Sequence, residues 1–324
     1  MDVDSSSRRP GLFALAFGSG FAVLTIEIAG ARLIAPVFGL SAGPWTAVIG
    51  VILSALAAGS HYGGRLADGG RIPLSRILMV AGLTGVLPIV GAGVPWVARS
   101  AFGFIPGAVV SALVLFAPSV FCLGAVVPYL VRADTDSVDE VGRRAGDVSA
   151  AATAGSIAGS FTTGFFLLPA MPLPLLMGLT VAGLFAMAVA AGRILRGPDA
   201  PRGATTGAAL AVLAAPGLGL LASGAPPDTL HVEQTLYTSV RVTEREWADG
   251  RTVRELWQNG GSSSAEYVGT GEPAHTYATA SLDILEPFMV EMDRVLVLGG
   301  AALTLPVAFQ KLHARRRFGS EDPP

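Results

Sequence analysis

The sequence predicts an α-helical multi-span membrane domain of about seven helices, followed by a small β-hairpin domain and the first β-α unit of a Rossmann-like α/β domain. The 324 residues are 51% hydrophobic and 14% charged, and the mean hydropathy is +0.57, as in integral membrane proteins. Near residue 225, long apolar runs give way to alternating apolar and polar residues. The apolar run and two glycines at 295–300 are typical of the start of a nucleotide-binding unit. We therefore divide the chain into 1–224, 225–292 and 293–324.

Seven apolar stretches in the first domain are long enough to cross a hydrocarbon core of about 30 Å. They are 11–31, 42–63, 76–98, 107–131, 149–169, 173–193 and 206–224. Arginines concentrate in alternate connectors, so the positive-inside rule places the N-terminus and these loops in the cytoplasm of a cell (inner) membrane protein. Seven spans put 225–324 outside the cell, but one span fewer reverses this, so the side of the second domain stays open.

Charge and cysteine content narrow the classes of partner. The net charge of −2 provides no strongly basic field, so we expect the lipid bilayer as a partner and no nucleic acid. Residues 1–224 hold 10 acidic and 13 basic side chains, whereas 225–324 hold 14 and 9, which supports a boundary near 225. Cys122 is the only cysteine, so neither an internal disulfide nor a cysteine-based metal cluster is expected.

Glu27 and Arg32 are the ionisable residues of the first predicted span. Burying a charge in a span costs about 2.5–3.5 kcal/mol on insertion scales, so such a residue usually faces the protein interior or a polar path. Five residues separate the two, which is about 140° around a helix, so they do not share a face. We expect Glu27 either to find a partner on another span or to lie at the interface as a span-end glutamate. The same two charges argue against a cleaved signal peptide at Ala29-Gly30-Ala31.

The second domain begins with segments in which apolar and polar residues alternate. The stretches "HVEQTLYTSVRVTERE" and "RTVRELWQNGG" flank Ala248-Asp249-Gly250, which predicts a β-hairpin. The spacing of Tyr277, Leu282 and Leu285 predicts a helix, and Val295–Leu298 predicts a strand before the glycine turn.

Five motifs in this order resemble the spermidine synthase (polyamine aminopropyltransferase) superfamily in its membrane-fused form, which has a major-facilitator-type module before the enzyme domain. They are "EIAGARLIAPVFG", "GGRLAD", "TAGSIAGSFTTGFFLLP", "EQTLYTSVRV" and "RVLVLGGAALTLP". The resemblance implies aminopropyl transfer from decarboxylated S-adenosylmethionine, bound without a covalent link, to a diamine such as putrescine. It places Tyr237 and Tyr277 in the substrate site and Gly299 and Gly300 in the donor-binding turn.

The chain also departs from this family. Thr238 replaces a glutamine, Ala278-Thr279 replaces His-Glu, and no acidic residue stands at the end of a second core strand. The family's catalytic aspartates have no counterpart, so no catalytic residue is assigned, and we expect a truncated domain in which transfer is impaired or absent. Two alternatives remain: a membrane carrier or ligand-binding protein for a polyamine-type substrate, and a structural subunit whose exposed edge strands join a homo-oligomer.

Overall fold

The structure is a computed structural model that describes residues 5–70, 72–135, 140–196, 202–222, 228–235, 238–258, 261–292 and 294–318. The chain is mostly helical and divides into two compact units, Met1–Gly224 and Ala225–Pro324. We call them the membrane unit and the sheet unit.

Apolar helices make up the described part of the membrane unit. In chain order these are α1 Ser5–Phe38, α2 Ala42–Gly69, α3 Leu74–Thr84, α4 Leu87–Val90, α5 Val94–Phe102, α6 Phe104–Leu115, α7 Ala117–Gly124, α8 Val126–Asp134, α9 Val141–Thr162, a π-helical turn Thr163–Leu167, α10 Leu168–Ala170, α11 Leu173–Arg196 and α12 Arg202–Ala222. The main core lies where α1, α2, α3, α6, α7, α8 and α11 meet, and it includes Phe38, Ile52, Leu78 and Phe116.

Four helices of the described chain are long and apolar enough to cross a membrane: Arg9–Phe38, Ala42–Gly69, Val141–Ala170 and Leu173–Leu195. Two bent pairs raise the number to six if each pair is one span. The segments Leu74–Val90 and Val94–Phe102 meet at 74°, and Phe104–Leu115 and Ala117–Asp134 meet at 56°. Prolines stand at the start of α4, α5 and α7, where they end the preceding hydrogen-bond ladder.

The predicted count of seven spans is not confirmed. The seventh predicted stretch falls on α12 and ends in residues outside the described set. Sequence hydropathy also gave no indication of the two sharp bends, because a bent pair and a straight helix have the same composition. The membrane unit is therefore assigned four to six spans among the residues that were assessed.

Glycines allow α1 and α9 to pack backbone to backbone. A Cβ atom at Gly155 would collide with the carbonyl of Phe17, and one at Gly159 would come too close to the backbone of Phe21. From the opposite side, a Cβ at Gly20 would collide with the carbonyl of Ala152. Small residues at helix contacts are typical of membrane proteins, where close packing replaces the hydrophobic effect as the source of association.

The sheet unit contains one antiparallel sheet in the order β1-β2-β3-β4. Its strands are β1 Thr229–Gln234, β2 Ser239–Glu246, β3 Thr252–Gln258 and β4 Gly261–Tyr267. The predicted hairpin is confirmed as β2 and β3, which pair from Glu246 with Thr252 to Val240 with Gln258. Its first predicted arm is not one strand, because it contains both β1 and β2, which pair with each other. Helix α13 Thr276–Leu285 is also where the sequence predicts it; a 3-10 helix Glu286–Glu291 and α14 Thr304–Phe318 follow.

The predicted strand at Val295–Leu298 does not form. These four residues adopt no strand within the described chain, and the side chains of Leu296 and Leu298 are 82% and 85% exposed. A parallel strand of an α/β unit needs a neighbouring strand to complete its hydrogen bonds and a covered face to bury its side chains. The described part of the sheet unit provides neither for this segment, so the Rossmann-like unit is not confirmed.

Candidate functional site

Tyr277 lies at the first turn of α13, where the chain returns along the edge of β4. The return begins with the bond from the amide of Tyr267 to the carbonyl of Glu272, and the amide of Ala274 then donates to the carbonyl of Ala265. This backbone ladder brings the next residues back beside the middle of β4. The hydroxyl of Tyr277 donates to the carbonyl of Ser263 at 3.0 Å, while just over half of the side chain stays exposed.

His275 stands between Tyr277 and the sheet. Its ring stacks on the ring of Tyr277 with centroids 5.6 Å apart and an interplanar angle of 29°, and it also contacts Trp247 at 6.4 Å. On its other side the Nε2 atom lies 2.9 Å from the hydroxyl of Ser262. The ring is half-buried, and it makes no capping hydrogen bond to the start of α13.

Glu255 is a buried carboxylate on the same face of the sheet. Only 2% of its side chain is exposed. Its Oε1 accepts a hydrogen bond from Ser262 at 3.0 Å, and its Oε2 accepts one from the guanidinium of Arg245 at 2.8 Å. A buried charge requires such partners, since an unpaired carboxylate would lose its hydration without compensation.

A β-bulge brings Ser262 onto the face of Glu255. Along β3 and β4, Leu256 pairs with Ser264, but Trp257 pairs with Ser262, so one extra residue of β4 lies between these pairs. That extra residue is Ser263, whose hydroxyl donates to the carbonyl of Leu256. Bulges reverse the inward and outward alternation of a strand, and here the reversal directs Ser262 toward the carboxylate.

The β2–β3 turn supports Trp247 at the edge of this site. Gly250 has φ of 75°, a left-handed conformation suited to glycine, and its amide donates to the carbonyl of Trp247. Asp249 accepts hydrogen bonds from the backbone and side chain of Arg251 and from the hydroxyl of Tyr267. The hydrogen bond from the backbone amide of Arg251 is the main cause that holds the pKa of Asp249 below its ordinary value.

The other predicted site residues of the sheet unit are Tyr237, Gly299 and Gly300. Tyr237 falls outside the described residues. Gly299 has φ of 76°, and the non-glycine residues Ala301 and Leu303 that follow also have positive φ values, 43° and 61°. Left-handed backbone is costly for leucine, so this turn is strained. Gly300 lies within this turn, where the amide of Leu303 donates to its carbonyl.

Glu27 and Arg32 are both half-buried on α1. Within the described chain, Glu27 forms neither an ion pair nor a hydrogen bond, so the expected partner on another span is not observed there. Two residues earlier, Thr25 is buried, and its hydroxyl lies 2.9 Å from the hydroxyl of Thr163, at the start of the π-helical turn. Short π-helical turns often occur at functional sites because they widen one turn of a helix.

An ion-pair cluster ties together three helix ends of the membrane unit. Asp134 at the end of α8 lies 3.4 Å from Arg144 of α9 and 3.5 Å from Arg9 of α1, and the side chains of Asp134 and Arg144 are 4% and 5% exposed. Glu140 also accepts a hydrogen bond from Arg144 at 2.8 Å, which holds the pKa of Glu140 below its ordinary value. The cluster is built to fix helix ends because its charges are already paired.

An open groove in the membrane unit runs along α3, α11 and α12. Its volume is about 870 Å³, and its lining includes Leu83, Val86, Phe185, Leu218 and Leu221. The lining side chains are apolar, so the groove provides no group that would hold a cation.

Sequence patterns did not indicate Glu255, Ser262 or His275. Glu255 occupies a buried position in phase with Val253, where alternation predicts an apolar residue. A glutamate at such a position is the feature of the sequence that could have indicated it. Ser262 reaches the site through a bulge, and His275 through the returning chain, and neither feature has a sequence signature here. Among the described residues, no group of three or more histidine, cysteine, aspartate or glutamate side chains is placed to hold a metal ion.

Comparisons with models of protein families, with curated proteins and with solved structures each find no match to this chain.

Proposed function

We propose that this chain is an integral membrane, spermidine synthase-like protein whose sheet unit binds a diamine such as putrescine beside Tyr277. The observation that supports the proposal most directly is the stack of Tyr277 on His275, above the face that holds Glu255. A diamine needs apolar or aromatic surface for its methylene groups and acceptors for its ammonium groups. The rings of Trp247, His275 and Tyr277 supply the surface, and the Nδ1 atom of His275 supplies an acceptor.

The donor half of the proposal rests on the glycine turn. The motif resemblance assigns Gly299 and Gly300 to decarboxylated S-adenosylmethionine. Because glycines carry no Cβ atom, a ligand can approach their backbone closely, and Gly299 has φ of 76°. The proposal for Gly299 and Gly300 is binding of the donor.

A thermal stabilisation experiment tests the donor half. A ligand that binds only the folded state raises its stability by RT ln(1 + [L]/Kd), so the unfolding temperature of the full chain in lipid nanodiscs should rise with the logarithm of donor concentration. S-adenosylmethionine, which keeps the carboxylate, serves as the matched control ligand. If millimolar decarboxylated donor leaves the unfolding temperature unchanged, the donor site is wrong.

A second candidate is a membrane carrier of polyamine-type substrates. The half-buried Glu27 favours it, because an intramembrane acid without a partner among the described residues suits a cation path. Glu27 lies two residues after Thr25, whose hydroxyl contacts that of Thr163 at the start of the π-helical turn. Uptake of labelled putrescine into proteoliposomes should be lost in Glu27→Gln and retained in Asp68→Asn, whose carboxylate is exposed at the end of α2. Equal uptake by Glu27→Gln and the unsubstituted chain would remove Glu27 from any transport path.

A further inference from the structure

The hydroxyl of Ser262 lies between a carboxylate and an imidazole, and counting its hydrogens fixes the direction of both bonds. The hydroxyl has one hydrogen. Glu255 forms an ion pair with Arg245, so its Oε1 can only accept, and the single hydrogen of Ser262 goes to Glu255 at 3.0 Å. The remaining contact, from Ser262 Oγ to His275 Nε2 at 2.9 Å, therefore has the imidazole as donor.

This direction selects one tautomer of His275. A neutral ring that donates from Nε2 carries its lone pair on Nδ1. No other described residue forms a hydrogen bond with Nδ1, and the ring is half-buried beside the exposed Tyr277. The open Nδ1 atom is thus an acceptor on the side of the ring that is not tied to the sheet.

The same count excludes a serine nucleophile. In a serine hydrolase the histidine takes the proton of the serine hydroxyl, and the acid orients the histidine. Here the acid takes the hydrogen of the serine, and the histidine is a donor, so the hydroxyl is not activated for attack. With the carboxylate, hydroxyl and imidazole in this order, the imidazole can instead accept a proton at its open Nδ1 atom.

We infer that His275 accepts a proton from a primary ammonium group at Nδ1, with Ser262 and Glu255 as positioning residues that fix its tautomer and stabilise the resulting imidazolium. This inference rests on the proposed diamine site and adds a proton-transfer role to it. The proton leaves R–NH₃⁺ for Nδ1, which yields R–NH₂ and a cationic ring. The cationic ring still donates from Nε2 to Ser262, which still donates to Glu255, so no hydrogen bond is broken. The free amine keeps the lone pair that a nucleophile needs.

The test uses the full chain in proteoliposomes with ¹⁵N-labelled histidine. The chain has 4 histidines, so magic-angle-spinning NMR resolves few ring signals, and His275→Gln assigns the one of interest. We expect the Nε2–H tautomer without ligand. Ser262→Ala should abolish this preference, Ser262→Thr should keep it because the hydroxyl is retained, and Ser263→Ala should keep it because that hydroxyl contacts Leu256.

Putrescine is the ligand probe. It should shift the Nδ1 signal of His275 in the unsubstituted chain toward that of a nitrogen that accepts a hydrogen bond, with the Nε2–H tautomer kept. His275→Gln should weaken putrescine binding about tenfold, the worth of one charge-assisted hydrogen bond. An Nδ1–H tautomer in the free protein, or a tautomer preference that survives in Ser262→Ala, would overturn the inference. So would saturable putrescine binding that leaves the His275 signal unchanged. If the tautomer and its dependence on Ser262 are found but putrescine does not bind, the tautomer assignment stands, and the proposed function fails together with the role of His275 as proton acceptor.

Discussion

The hydroxyl of Ser262 donates a 3.0 Å hydrogen bond to Glu255, a carboxylate that is buried in a sheet where alternation predicts an apolar side chain. A buried acid is retained in a small sheet only if each of its oxygens is satisfied, and here Ser262 and Arg245 satisfy one oxygen each. Replacing this acid should therefore disturb the strands around it more than replacing an exposed acid of the same sheet.

Glu255→Ala should destabilise the sheet locally by about 1–3 kcal/mol, because it leaves Ser262 without an acceptor and opens a cavity. Hydrogen exchange measured by mass spectrometry should show faster exchange in β3 and β4. Glu244→Ala is the control, since Glu244 forms an ion pair with the half-exposed Arg254, and such pairs contribute about 0–1 kcal/mol. Equal acceleration of exchange by the two variants would contradict the role given to Glu255.

Gly155→Ala should destabilise the membrane unit by about 1–3 kcal/mol, because its new methyl group would collide with the backbone of Phe17. Gly183→Ala is a matched control on α11, where a methyl group would meet no atom within 4 Å and alanine favours the helix. Thermal unfolding in detergent micelles should separate the two variants. A Gly155→Ala protein that melts at the same temperature as Gly183→Ala would mean that α1 and α9 do not pack this closely.

Asp134→Ala should destabilise the membrane unit by about 3–5 kcal/mol, since it removes one side of a buried ion pair with Arg144. Asp68→Ala should cost less than about 1 kcal/mol, because Asp68 and Arg132 are mostly exposed and 3.9 Å apart. Chemical denaturation in mixed micelles compares the two. The cluster would not fix the helix ends if both substitutions had the same small effect.

Asp249→Asn tests how the stability of the sheet unit depends on pH. The pKa of Asp249 is lowered in the folded state, so its contribution to stability is complete above its ordinary pKa of about 3.9 and is lost as pH falls through the lower, folded-state pKa. The unfolding temperature of Asp249→Asn should therefore lie below that of the unsubstituted chain at neutral pH, and the gap should close below about pH 4. Tryptophan fluorescence can follow unfolding.

Asp283→Asn is the control for that series, because Asp283 is exposed on α13 and has no hydrogen bond or ion pair among the described residues. Its unfolding temperature should stay parallel to that of the unsubstituted chain across the same pH range. A constant gap for Asp249→Asn at all pH values would show that the amide of Arg251 does not stabilise the carboxylate.

The sequence predicted elements whose signals are local. Apolar runs indicated the helices of the membrane unit, and Ala248-Asp249-Gly250 indicated the β2–β3 turn, because glycine supplies the left-handed residue that this turn requires. It missed β4, "GSSSAEY", since serine and glycine have low strand propensity and the strand is determined by pairing with β3. It predicted a strand at Val295–Leu298 from hydrophobicity alone, although a strand also needs a neighbour.

The candidate site was predictable only in part. The motif resemblance singled out Tyr277, whose ring stacks on that of His275. His275 contacts Ser262, and Ser262 donates to the buried acid Glu255. The acid, the serine and the histidine were not predicted, because a bulge at Ser263 and a returning chain at Ala274 bring them together through tertiary hydrogen bonds.

The central claim is that the sheet unit binds a diamine beside Tyr277, and isothermal titration of putrescine into the full chain in lipid nanodiscs tests it most directly. We expect saturable binding at one site per chain, weakened at least about tenfold in Tyr277→Ala and unchanged in Glu27→Gln. The absence of saturable heat, or equal affinity in Tyr277→Ala and the unsubstituted chain, would contradict the claim.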